Sequence, residues 1–237
     1  MDRNYNVASF KKDLEELKIN LTENQIDQFL VYYEMLVDWN QRMNLTAITE
    51  YDEVMKKHFV DSLSLVKAVN PDDICCGDPV CKLIDVGTGA GFPGVPLKLL
   101  CPDMSLTMID SVGKKIDFIR ETCAAIGLQA ECLWGRVEEL PQLRESFDIV
   151  VSRAVAELDI LSELCLPQVG IGGLLIAMKG ADCGEEVQNA DFAFRALGGR
   201  LREILRYHIP GTDIQHAAVI VEKIHATPAQ YPRRYAQ

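Results

Sequence analysis

The chain has 237 residues, 48% of them hydrophobic and 25% charged, with a formal net charge of −11. Such a composition suits a globular protein able to bury one sizeable core, and its apolar runs are too short to cross a bilayer. The acidic balance argues against non-specific nucleic-acid binding over the whole surface, although a local basic patch on an acidic body is not forbidden.

The opening residues, MDRNYNVASFKKDLEELKIN, show no apolar core or small-residue cleavage pattern, so no secretory signal and a cytoplasmic location are expected. Residues 1–70 read as helical. In LTENQIDQFLVYYEMLVDWNQRMN, Ile26, Phe29, Tyr32, Tyr33, Leu36 and Trp39 recur at spacings near three and four, an amphipathic stripe. Thr22 with Gln25 forms a capping-box pattern, and Leu21 is positioned to staple Ile26. A second helix is predicted over roughly 60–69, closed by Asn70-Pro71. The eight cysteines are scattered, and their one cluster, ICCGDPVC at 74–81, lacks a second C-x-x-C or a histidine pair. Reduced, mostly buried thiols and no metal are expected.

From about residue 82 short apolar runs alternate with helical segments. They are KLIDVG, a helix near 94–101, SLTMID, a helix over 113–126, AECLWG, FDIVVS, a helix over 156–167, and GLLIAMK. This alternation predicts an α/β fold with a doubly wound parallel sheet. LREILRYHI and HAAVIVEK follow with only Pro210-Gly211 and a few polar residues between them, which leaves no room for a helix and implies an antiparallel closing pair. The boundaries expected are a helical extension over 1–72, a sheet core over 73–225 and an irregular tail over 226–237.

The first strand runs into LIDVGTGAGFPG, residues 83–94, with glycines at 87, 89 and 91. Read from Gly89 it matches G-x-G-x-x-G; read from Gly87 it is G-x-G-x-G. Three alternating glycines exceed what a plain turn needs, and point to a ligand approaching the backbone. Asp85 separates the candidate ligands. A carboxylate two residues before the loop disfavours a pyrophosphate and suits the sulfonium and ammonium of S-adenosylmethionine. Asp110, closing the next strand, suits both ribose hydroxyls, with a helix cap for the segment near Gly113 as the plain alternative. After residue 223 only a tail remains, so a hydride-transfer enzyme would lack a substrate domain. A Rossmann-like methyltransferase of seven strands with the last antiparallel fits better.

The segment after the fourth strand reads VSRAVA, 151–156. It lacks the Asn/Asp-Pro-Pro-aromatic turn that holds an exocyclic amine, and neither Cys132 nor Cys165 is placed as a nucleophile on a pyrimidine. A target with an accessible lone pair, such as guanine N7, needs neither device.

Taken together, NLTAI (44–48), KHFVDSLSL (57–65), DVGTGAGFPGVPL (85–97), IDSVGKKIDFI (109–119), GRVEEL (135–140), SRAVAEL (152–158) and MKG (178–180) resemble the bacterial RsmG (GidB) family. Its members are S-adenosylmethionine-dependent methyltransferases acting on guanine N7 in the 530 loop of 16S ribosomal RNA. The resemblance implies cofactor contacts from Gly87, Phe92, the Val137-Glu138 pair and Arg153. The family commonly has Ala where this chain has Val137, a small change if the contact is main-chain. It also implies that Asn44, Thr46, His58 and Asp61 line the cleft, with no catalytic step assigned to them. The tail TPAQYPRRYAQ is similar to the family's but lacks its further basic residues.

The positive residues expected to hold RNA cluster as Lys56-Lys57-His58, Lys114-Lys115, Arg200/Arg202/Arg206 and Arg233-Arg234, with Lys179 facing the cleft from the fifth strand. Binding that weakens steeply with salt is the corresponding expectation. A monomer whose partner is 16S rRNA or the small subunit, with no membrane contact, completes this reading. The rival readings are a ribosome-assembly factor with a vestigial cofactor pocket and an NAD(P)-dependent oxidoreductase.

Overall fold

A computed structural model describes residues 5–69 and 80–233. The expected helix end at Asn70-Pro71, most of the cysteine cluster, the boundary between residues 72 and 73, and Arg234 lie outside the described residues.

Helix α1, Ala8–Glu16, leads into α2, Glu23–Asn40. The capping box at the start of α2 is formed: Thr22 Oγ1 accepts from the Gln25 amide at 3.2 Å, and Gln25 Oε1 accepts from the Thr22 amide at 2.8 Å. Gln25 then donates from Nε2 to the Leu99 carbonyl at 2.6 Å, which fastens this helix start to the sheet domain. The second helix begins earlier than expected. It is a composite over residues 51–67, α-helical at Tyr51–Val54, π-helical at Met55–Val60, α-helical again at Asp61–Leu63 and 3-10 at Ser64–Lys67. Turns of π geometry are rare and concentrate at functional positions, and this one carries His58.

The sheet has seven strands in the order β3-β2-β1-β4-β5-β7-β6. They are β1 Lys82–Val86, β2 Ser105–Asp110, β3 Glu131–Trp134, β4 Phe147–Arg153, β5 Val169–Gly180, β6 Gly199–His208 and β7 Gln215–Lys223. Strands β1 to β5 pair in parallel, and β7 runs antiparallel between β5 and β6. The antiparallel end is as the missing crossover required.

Alternation along the strands sends side chains to two cores. Leu83, Met108, Ile149, Val151, Ile176 and Ile220 face one cluster, built with Phe10, Phe29, Tyr32 and Phe59 of the N-terminal helices and with α3, Gly94–Leu100, and α4, Gly113–Ala125. Their neighbours Ile84, Ile109, Val150, Leu175 and Val219 face the other, with α5, Leu158–Cys165, and α6, Gly184–Ala196. The N-terminal helices are therefore one wall of the sheet's own core. Helix α6 was not expected from the sequence, because few apolar residues in GEEVQNADFAFRA mark its buried face. Among the described cysteines, 81, 123, 132, 165 and 183 are free thiols, whereas Cys101 is disulfide-bonded, contrary to the expectation of reduced thiols throughout.

Candidate cofactor cleft and the adjoining polar cluster

Strand order reverses between β1 and β4, and open α/β sheets bind ligands at such a switch point. A cleft of about 460 Å³ opens there, at the carboxyl ends of β1, β2 and β4. Gly87, Asp110, Val137, Glu138 and Lys115 line it, as does Ala154-Val155 immediately after Arg153. Ala154 has φ +57°, a left-handed conformation uncommon for a residue with a Cβ, and the chain turns there to form one wall.

The glycine loop departs from its expected logic. Gly87, Gly89 and Gly91 all have positive φ (+69°, +61° and +96°), so the backbone path alone calls for glycine at each. A Cβ at Gly91 would lie 2.6 Å from the Tyr32 hydroxyl, and one at Gly87 would collide with Val155 Cγ2. Tyr32 donates to the Ala90 carbonyl, so α2 holds the loop from behind. Of the three glycines, Gly87 lines the cleft.

Asp85 also lies elsewhere than expected. Its side chain is 0% exposed and sits beneath the loop, not at the cleft wall. Oδ2 accepts from the Gly94 amide at 2.9 Å and from Thr88 Oγ1 at 2.8 Å. Gly94 is the first residue of α3, so a carboxylate already occupies that helix N-terminus. Burial pushes the Asp85 carboxyl up to about 6, against the opposing pull of those two hydrogen bonds. Its other oxygen, Oδ1, is buried without a partner. Asp110 lines the cleft, and its carboxylate accepts the Gly89 amide at 3.0 Å and the Val112 amide at 2.8 Å. It braces both the glycine loop and the approach to α4.

Phe92 and Arg153 do not line this cleft. They join a second group on the N-terminal side of the loop. The Phe92 ring stacks on His58 with centroids 4.7 Å apart, and the Arg153 guanidinium lies over the same ring at 5.0 Å. Arg153 donates to Asp61 Oδ2 at 3.2 Å. Asp61 is 1% exposed and also accepts from Tyr207 (3.2 Å) and from His216 Nδ1 (2.8 Å). His58 and Asp61 are thus linked indirectly, through Arg153. Burial, then Arg153, depresses His58 to about 4, so its ring is neutral. Its Nδ1 lies 3.4 Å from the Arg153 guanidinium and 3.2 Å from the Lys57 carbonyl, contacts that need opposite tautomers. The guanidinium can only donate, which favours a lone pair on Nδ1 and a proton on Nε2 facing Thr46 Oγ1 at 2.8 Å. Tyr207 and His216 carried no sequence signal: they come from β6 and β7, about 150 residues away from Asp61 in the chain.

The RNA candidates fare unevenly. Asn44 is exposed, and Asn40, not Asn44, accepts the Leu45 and Thr46 amides of that loop. Lys114 is exposed, and Lys115 lines the cleft 3.8 Å from Asp110. Lys179 does not present a free charge: it donates to Glu186 and to the Ala156 carbonyl. Lys56 pairs with Asp13, Lys57 with Glu53, Arg200 with Glu222 and Arg233 with Glu163. In so acidic a chain most of these cations have found carboxylates, and they do not converge on the cleft. At the rim stands Trp134, 70% exposed, its Nε1 donating to the Ser111 carbonyl at 3.2 Å and its ring against Gly113.

Residues 25–215 match the family GidB, described as rRNA small subunit methyltransferase G. The Ribosomal RNA small subunit methyltransferase G of Lachnoclostridium phytofermentans is 44% identical over 95% of this chain and 93% of its own length. The Bacillus cereus protein of that name is 42% identical over 97% and 95%. Among solved structures, TYW2 of M. jannaschii in complex with AdoMet is similar with a TM-score of 0.50 at 14% identity, covering 60% of this chain and 69% of that one. A structure reported for conversion of a disulfide bond into a thioacetal group during echinomycin biosynthesis aligns with a TM-score of 0.54 at 16% identity, over 69% of this chain and 81% of that one. At such identities these two likenesses speak for the fold alone.

Proposed function

Because the chain belongs to the GidB family of rRNA small subunit methyltransferase G, we propose that it transfers a methyl group from S-adenosylmethionine to N7 of a guanine in the 530 loop of 16S ribosomal RNA. The observation that carries the cofactor assignment is the Asp85 carboxylate on the Gly94 amide. In dinucleotide-binding folds the pyrophosphate takes that helix end. Here the place is filled by an anion, and Asp85 Oδ1 is a further buried lone pair without a partner. A cationic cofactor without phosphate suits this surrounding, and a nicotinamide dinucleotide does not.

Bound in the cleft, S-adenosylmethionine would supply an electrophilic methyl on a sulfonium. Asp110 is the group for the ribose hydroxyls, and Val137-Glu138 the main-chain cradle for the adenine. Neutral His58 and Arg153, backed by the buried Phe92 ring, form the face offered to the target base. The N7 lone pair needs no deprotonation, so the chain needs no general base and catalysis rests on alignment. Asp61 matters to that alignment because it fixes and neutralises Arg153, which would otherwise oppose the positive charge gained by the methylated guanine.

The test is to incubate the protein with labelled S-adenosylmethionine and undermethylated small subunits, then locate label by borohydride reduction and aniline scission, which read N7-methylguanine. A single labelled guanine in the 530 loop is expected. Label on another base, or none, would overturn the proposal.

A further inference from the structure

The cleft wall built by Val137 and Glu138 has a second side. These residues form a 3-10 turn, Val137–Glu139, followed at once by another, Pro141–Leu143. Behind them is a separate cavity of about 310 Å³, lined by Val137 and Glu138 together with Arg144, Tyr231 and Pro232. The chain after β7 therefore backs the surface assigned to the adenine.

Two anchors hold it there. Arg144, directly after the second turn, gathers three carbonyls of the tail: Tyr231 at 2.6 Å, Pro228 at 3.2 Å and Thr227. Further along, Arg233 grips Glu163 with its whole fork, Nε at 3.0 and 3.1 Å and Nη2 at 2.6 Å, while its amide donates to the same carboxylate at 2.6 Å. Glu163 precedes Leu164 on α5, and Leu164 lines the cofactor cleft. Thr227 roots the segment, its amide on Glu145 at 2.8 Å and its hydroxyl on the Leu197 carbonyl at 2.7 Å. Both walls of the adenosine end, the 3-10 turn and Leu164, are thus tied to one strap. The same bonds commit Arg233 to Glu163, which removes its guanidinium from the pool of cations free to hold phosphate.

We propose that residues 227–233 are a clasp that sets the adenosine end of the cleft, with Arg144 and Glu163 as positioning residues for cofactor binding. This rests on the S-adenosylmethionine reading above. The test measures calorimetric binding of S-adenosylmethionine and the separate KM values for cofactor and small subunits. It uses the wild type, Glu163→Gln, Arg233→Ala and a chain ending at Thr227, with thermal unfolding followed alongside. Each change should weaken cofactor binding and raise its KM about tenfold. The KM for subunits and kcat at saturating cofactor should stay within about twofold. A higher KM for subunits with unchanged cofactor affinity would overturn the inference and make the tail an RNA grip. A lower melting temperature with both KM values unchanged would overturn it in favour of a purely structural role. Wild-type protein that binds no S-adenosylmethionine would remove the cofactor reading and the clasp with it, whereas normal wild-type binding with unaltered variants sinks the clasp alone.

Discussion

His58 and His216 flank one arginine–aspartate pair yet are shifted in opposite directions. Asp61 raises His216, and burial lowers His58 from an ordinary 6.5 to about 4. The sign for His58 follows from linkage. Below about 6.5 the unfolded chain takes up a proton that the folded ring refuses, so its contribution is fully present above the unfolded pKa and is lost as pH falls towards 4. His216 works the other way, since its folded pKa is raised: its contribution is present at low pH and lost as pH rises through the folded pKa. Replacing His58 by Gln should therefore flatten the loss of thermal stability between pH 6.5 and 4 relative to wild type. Melting curves across that range check it, and parallel profiles for the two proteins would contradict it.

At the scale of elements, the strand–loop–helix unit from β1 to α3 carries the cleft, and Gly87 is the glycine of its loop that meets the cleft wall. Gly87→Ala combines a left-handed backbone with a Cβ driven into Val155. The expected loss is about 1–3 kcal/mol of stability, with a larger proportional loss of cofactor affinity, because Val155 is itself a cleft wall. Chemical denaturation and calorimetry measure the two. This unit was legible in the sequence, since its strands are short apolar runs and its turn is spelled out in glycines. Other elements were not. VGIGG hid the first half of β5, because glycines in an exposed stretch read as loop. The composite helix begins at Tyr51, nine residues before the predicted start, because YDEVMKKHFV mixes charge into its apolar positions. The alternating glycines have the look of a ligand's imprint, whereas their φ values make them the loop's own requirement. Asp85 was found for its charge, yet what it does was invisible: its partner Gly94 is distinguished only once the helix start is placed. The hub at Asp61 was half legible, because sequence spacing cannot show that β6 and β7 return to the composite helix.

For the whole molecule the decisive quantity is how its positive charge is spent. With Lys56, Lys57, Lys179 and Arg200 each held by a carboxylate, fewer of the cations expected to hold RNA are left to displace its counterions. These pairs predict a shallower salt dependence than the steep one expected from the sequence. Binding to bare rRNA should show a log–log slope with salt of about −1 to −2, equivalent to roughly two phosphate contacts on single-stranded RNA. Filter binding over a range of salt tests this, and a slope several times steeper would mean that these ion pairs open on RNA. One feature of the rim lends itself to following such events. The chain has two tryptophans, and they lie in contrasting places: Trp39 packs edge-on against Phe118 in the first core, while Trp134 stands in solvent beside the cleft mouth. The emission of one indole is shielded and that of the other is open to quenchers, so the unmodified protein carries its own optical gauge of whether the mouth is filled.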